Sequence, residues 1–187
     1  MLYLIGGVSR VGKSTLANLI LQRNKTAYVE TDWIVSMLMF AAPQLGIKYA
    51  PEFTKEEYIK KAENFFPYLY QFIKYNQPVV EKYIIEGDIF LPQHISVLQK
   101  EFEVKACFLG TSNLKPETLL NNPSKNDWWI KKLNEKQLNE VCEWIVTMSR
   151  FLEKECKSCS LPYFDLSMDY QKTLEKAYTY LTSFKIS

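Results

Sequence analysis

The sequence predicts an α/β fold: one parallel sheet of about five strands with helices on both faces, giving three layers. Three observations carry that expectation. Short apolar runs alternate with helix-period segments along almost the whole chain. A glycine-rich turn joins the first apolar run to the first helical segment. Near the C-terminal end, Leu138, Val141, Cys142, Ile145, Met148 and Leu152 form an amphipathic stripe that must be covered by another layer.

Taken in order, Tyr3–Ile5 reads as a short buried strand stopped by Gly6-Gly7, and Lys13–Gln22 as the helix after it. Ala27–Val29 is the second strand and ends at Glu30-Thr31-Asp32; Trp33–Phe40 is helical and stops near Pro43. A longer helix starts at Thr54, which with Glu57 has capping-box spacing. Tyr58, Ala62, Phe65, Phe66, Leu69 and Ile73 follow at helical intervals, and Pro67 is expected to kink or divide the helix. Lys82–Glu86 is the third strand, Pro92–Lys100 a helix, and Val104–Leu109 the fourth strand. Glu135–Cys156 carries the amphipathic stripe, Tyr163–Leu166 is the fifth strand, and Tyr170–Leu181 closes the chain. Right-handed crossovers are the default for such a parallel sheet.

At 187 residues, with 47% apolar and 24% charged side chains, the chain suffices for one domain, residues 1–187, with a substantial core. A formal charge of +2 gives no reason to expect nucleic acid or a membrane surface as partner. No run of about 20 apolar residues is present, and the N-terminal apolar run is too short for a signal peptide. Cys107, Cys142, Cys156 and Cys159 are widely spread in a chain that needs no disulfide staples, which points to a reduced, cytoplasmic setting. Cys156-x-x-Cys159 lacks a second ligand pair and ends a helix instead of opening one, so it reads as structural. His94, the single histidine, reads as a surface or helix-end residue.

The chemistry is concentrated in Gly7-Val8-Ser9-Arg10-Val11-Gly12-Lys13-Ser14, a full G-x-x-x-x-G-K-[ST] match with a strand before it and a helix after it. Glycines let main-chain N–H groups wrap a phosphate, and the helix N-terminus adds its positive dipole end. Residues Gly7 to Thr15 are the expected nucleotide cradle; Lys13 should reach the β- and γ-phosphates and Ser14 should ligate Mg²⁺. Gly110-Thr111-Ser112-Asn113 after the fourth strand does not match the guanine-reading Asn-Lys-x-Asp pattern, which points away from a GTPase.

In a parallel sheet the carboxyl ends of the strands share one crevice, and ligands bind there. Asp32, just past the second strand, can therefore face the phosphate loop and accept the proton of an attacking hydroxyl; its alternative is a helix cap before Trp33. Glu86, ending the third strand, can hold the Mg²⁺ shell or bind a substrate hydroxyl, and Asp88 can join it or cap a turn.

Three segments resemble the small P-loop kinases that phosphorylate gluconate, shikimate and nucleosides, together with chloramphenicol phosphotransferase. They are Gly6–Ala17, Glu30-Thr31-Asp32 and Ile85-Glu86-Gly87, with a looser match at Pro162–Ser167. The chain looks most like sequences described as 2-phosphoglycerate kinase-like or adenylate-kinase-like. The resemblance implies a P-loop NTPase sandwich, a helical substrate-binding insertion over about residues 33–80, and a mobile lid over about 111–134. It also implies an adenine site after the fifth strand, where Ser167 stands.

Pro116, Asn121, Asn122, Pro123 and Asn126 should break regular structure in the lid, and Lys115, Lys125, Lys131 and Lys132 give it charge. Similar kinases place arginines there; this chain has none between Gly110 and Ser149, so Arg150 is the expected substitute, with a solvated helix charge as its alternative. Arg10, inside the loop, could touch the phosphoryl group or an anionic acceptor. Trp33, Phe40 and Tyr49 are the candidate linings of an acceptor pocket.

The expected activity is ATP-dependent, Mg²⁺-assisted phosphoryl transfer to a hydroxyl of a small metabolite, by a monomer or homodimer. Two alternatives stay open. A nucleoside-monophosphate kinase would want more arginines than the three present, and a non-catalytic ATP-binding module would need none of the acceptor chemistry.

Overall fold

The computed structural model describes residues 1–47, 54–121 and 130–183. Tyr49, a candidate lining of the acceptor pocket, and Asn122, Pro123, Lys125 and Asn126 of the expected lid lie outside the described residues.

The strands are β1 (Leu2–Gly7), β2 (Tyr28–Glu30), β3 (Tyr83–Glu86), β4 (Val104–Gly110) and β5 (Tyr163–Asp165). They form one all-parallel sheet in the order β2-β3-β1-β4-β5. Leu2 is in register with Tyr83 on one side and Val104 on the other, so β1 is the central strand. Every residue of β1 and β3 is buried, as expected for strands covered on both faces. The edge strands β2 and β5 have three residues each and are only partly buried, which leaves little edge open to another chain.

The helices are α1 (Lys13–Asn24), α2 (Thr31–Ala41), α3 (Lys55–Asn76), α4 (Pro92–Leu98), α5 (Pro116–Asn121), α6 (Glu135–Ser158) and α7 (Tyr170–Thr182). α1 and α7 pack together against the sheet, while α4 and α6 contact each other and β4. α6 begins at a capping box in which Asn134 accepts from the Gln137 amide and Gln137 from the Asn134 amide. Its expected stripe is buried through Leu138, Cys142, Ile145, Met148 and Leu152, each worth roughly 1.5–3 kcal/mol if fully removed from water.

Three expectations need correcting. Of the two effects expected of Pro67, a kink or a division, division does not occur: α3 runs unbroken for 22 residues from its Thr54–Glu57 capping box. Phe65, Leu69 and Ile73, buried on either side of Pro67, outweigh a penalty of about 3 kcal/mol. Pro116 does not break the lid; it opens α5, where its fixed φ suits the first turn and its missing N–H costs nothing. His94 is at a helix end but is not a surface residue. It is buried, stacks on Phe66 at 4.1 Å between centroids, and accepts the Leu91 amide on Nδ1. Burial pushes its pKa down to about 4, so it is a neutral structural group.

Candidate active site

The carboxyl ends of the strands deliver the site residues to one edge of the sheet. β1 ends at Gly7 and α1 starts at Lys13, with the turn between them at the place of the expected phosphate loop. Gly12 precedes α1 with φ 98°, a left-handed conformation that glycine adopts without Cβ strain. Arg10 adopts φ 70° in the same turn. No side chain caps the N-terminus of α1, so its first amides and its dipole are free for an anion. Lys13 is buried, and its Nζ donates to the Val8 carbonyl at 2.8 Å, which holds the ammonium inside the loop.

A cleft of about 830 Å³ opens beside this turn. Arg10 to Thr15 form one wall; Thr111, Lys115, Thr118 and Leu119 form the second, and Leu166, Ser167, Met168, Tyr170 and Gln171 the third. Ser167 is therefore in the cleft, as its position after β5 suggested. Its amide and that of Ser112 both donate to Asp165 Oδ1, at 2.9 and 3.1 Å, and the two hydroxyls lie 2.8 Å apart. Burial raises the Asp165 pKa, but the hydrogen bonds from Ser112 and Ser167 outweigh it and leave the carboxyl below its usual range. This clamp ties the segments that follow β4 and β5.

On the other side of the loop stands an acidic group. Ser14 Oγ donates to Glu86 Oε1 at 2.6 Å, and Ser9 Oγ donates to Asp88 Oδ2 at 2.6 Å. Burial raises the Glu86 pKa, opposed by the Lys13 charge and the Ser14 hydrogen bond. A buried carboxylate beside a hydroxyl supplies two hard oxygen donors next to the phosphate loop, and such a pair fits Mg²⁺. Among the described residues no group of three or more His, Cys, Asp or Glu could hold a metal alone. That fits an ion that takes one or two protein ligands and completes its shell with phosphate and water.

Asp32 lies in the first turn of α2, after Glu30 and the buried Thr31. Burial, reinforced by Asp88, raises its pKa to about 6 against the pull of Lys13, with smaller contributions from Glu86 and Lys61. Asp32, Glu86, Asp88 and Lys13 thus form one electrostatic cluster. The structure brings together Lys13, Ser14, Glu86 and Asp32. Trp33 follows Asp32 on α2, is 54% exposed, and its ring is 6.0 Å from that of Tyr28. Arg10 lines the cleft and donates to the Leu119 carbonyl of α5 at 3.1 Å. Arg150 is exposed on α6 and does not line the cleft.

Several site contacts had no sequence signal. Ser149, one position past Met148 in the α6 stripe, is fully buried and accepts the Thr111 amide at 3.2 Å. A serine beside an apolar stripe looks like any other small core residue. The Ser9–Asp88 and Arg10–Leu119 links span 79 and 109 positions, which no local pattern encodes.

No family model and no curated protein matches this sequence. Solved structures do match the fold. A gluconokinase from Sinorhizobium meliloti 1021 superposes with a TM-score of 0.55 at 14% identity, covering 96% of this chain and 90% of that one. A shikimate kinase from Bacteroides thetaiotaomicron gives 0.56 at 13% identity, over 96% and 94% of the two chains. A sugar kinase from Janibacter sp. HTCC2649 gives 0.54 at 18% identity, over 96% and 93%. At these identities the likeness establishes a fold shared with these three kinases.

Proposed function

With that fold as premise, we propose that the chain is an ATP-dependent kinase that phosphorylates a hydroxyl of a small metabolite. The observation that carries the reading is the half-buried Asp32, raised to about pKa 6 and coupled to Lys13. A carboxylate tuned toward neutral pH beside a phosphate loop is suited to general-base chemistry.

The division of labour follows from the residues. Amides of Gly7 to Thr15 and the Lys13 ammonium hold the triphosphate. Ser14 and Glu86 would hold Mg²⁺, which neutralises charge on the phosphate oxygens when bound. The cleft between the ends of β4 and β5, with Ser167 in its wall, takes the base. The acceptor oxygen attacks the γ-phosphorus as its proton passes to Asp32. A new P–O bond forms, the bond to the β–γ bridging oxygen breaks, and ADP leaves with the electron pair. Trp33 borders the acceptor, while Arg10, in the cleft wall, serves the charge that develops on the phosphoryl oxygens.

The test is ADP release with Mg-ATP across a panel of hydroxyl-bearing metabolites, with the phosphorylated product identified by mass spectrometry. Acceptor-dependent ADP and a phosphorylated product are expected from at least one class. ATP binding with turnover that no acceptor accelerates would leave a binding module and sink the kinase reading.

A further inference from the structure

The C-terminal helix returns to the turn between β1 and α1. Asp169 caps α7 by accepting the Lys172 amide, which makes Tyr170 the first residue of the helix. α7 packs along α1. Arg23 makes two 2.7 Å bonds to Glu175, and the Tyr178 hydroxyl donates to Asn24 at 2.9 Å. These contacts fix α7 against α1, and so fix Tyr170 relative to the turn that leads into α1.

The tip of the Tyr170 side chain is directed at that turn. A Cβ built on Gly12 would stand 2.8 Å from the Tyr170 hydroxyl oxygen and 3.4 Å from Cε2 and Cζ. Gly12 is thus needed twice, for its left-handed φ of 98° and for the room that the phenol occupies. Tyr170 also lines the cleft with Lys13, Ser14 and Thr15 and is 39% exposed. Its hydroxyl therefore stands where the turn and the cleft meet.

That hydroxyl makes no bond within the described chain: among the described residues no hydrogen-bond partner reaches it. A phenylalanine would cover Gly12 equally well. Ser167, in the same wall, differs, because its amide and hydroxyl are committed to Asp165 and Ser112. An O–H donor held against a turn whose first helical amides have no side-chain cap suits an anion that those amides bind. Under the proposed function the wall from Leu166 to Gln171 takes the base, so the phosphate it meets first is the one joined to the nucleoside.

Resting on the reading of that turn as a phosphate cradle, we infer that Tyr170 is a nucleotide-binding residue whose hydroxyl donates to the phosphate nearest the base. It grips ATP and ADP alike and takes no part in the transfer step.

Calorimetry of the full chain with Mg-ATP and with Mg-ADP tests this, for the parent, Tyr170→Phe and Tyr170→Leu. Tyr170→Phe keeps the ring and removes only the O–H. It should weaken both nucleotides by the same factor, roughly 10-fold, as for a hydrogen bond to a charged acceptor. Its nucleotide-free Tm should match the parent's within about 2 °C, which separates lost contact from lost packing. Tyr170→Leu should weaken both nucleotides at least as much. Three results would overturn the inference: Tyr170→Phe binding both nucleotides as the parent does, a loss confined to ATP, or a loss that comes with a fall of several degrees in the nucleotide-free melt. The first of these, with Tyr170→Leu alone impaired, would make the ring a stacking surface. Acceptor-dependent ADP release reads the kinase proposal separately. The expected loss of affinity in a chain that transfers to no acceptor sinks the transfer reading and leaves Tyr170 in place; transfer by the parent with no loss in Tyr170→Phe does the reverse.

Discussion

Replacing Asp32 by Asn separates its proposed role as base from its structural cost. The carboxyl is raised from 3.8 to about 6, chiefly by burial, with Asp88 adding and Lys13 opposing. Its protonated form is therefore favoured by folding: the penalty on the charged form is absent below about pH 3.8 and complete above about pH 6. The shift corresponds to about 3 kcal/mol at most, or roughly 2 kcal/mol once partial solvent screening is allowed for. Asn is nearly isosteric and carries no charge, so the variant should be more stable than the parent at pH 7.5 by roughly 2 kcal/mol. For a chain of this size that is about 4–8 °C in Tm. The gain should shrink through pH 6 to 4 and vanish below it. In turnover the same variant should lose roughly 100-fold or more with ATP affinity kept, because only the base is removed. The parent's kcat should rise with pH to a plateau with an apparent pKa near 6. Thermal melts across pH 4 to 7.5, beside acceptor-dependent ADP release, read both effects. A variant that is no more stable at pH 7.5, or that turns over like the parent, would refute the assignment.

Three other outcomes follow from the same geometry. His94, lowered from 6.5 to about 4 by burial, takes up a proton in the unfolded chain before the folded one. Its contribution to stability is whole above pH 6.5 and falls by about 3 kcal/mol as pH drops through 4, and His94→Gln should lose that part of the pH dependence in denaturant titrations. Gly87→Ala should destabilise by about 1–3 kcal/mol because its methyl collides with Thr31, and Thr31→Ala in the same chain should recover part of the loss, read by urea midpoint. Ser14→Ala should raise the Mg²⁺ concentration needed for half-maximal activity, since it removes one of two oxygens placed together, while Mg²⁺-independent folding stays unchanged.

How much of this was legible in the sequence depended on whether the determinant was local. The phosphate loop was, because glycine spacing, Lys13 and Ser14 specify it within eight residues. Asp32 and Glu86 were legible as a crevice pair because parallel strands place their carboxyl ends together, and the order β2-β3-β1 puts both beside the loop. The α6 stripe and the Thr54–Glu57 capping box follow from periodicity and cap chemistry that act over one or two turns. The errors came where distant packing overrode a local rule. Pro67 is held in a helix by its buried neighbours, and His94 is buried because Phe66 of α3 covers it. Arg10 illustrates the remainder: its place in the loop was evident, but its bond to Leu119 depends on how α5 folds over the cleft.

The central claim is that the turn from Gly7 to Ser14 grips a triphosphate, with Lys13 as its cation. Isothermal titration of the full chain with Mg-ATP tests it, with Lys13→Ala beside the parent. One saturable site is expected, weakened roughly 10- to 150-fold in the variant by loss of a charge-assisted contact. No binding heat from ATP or GTP, or a variant that binds as the parent does, would contradict the account.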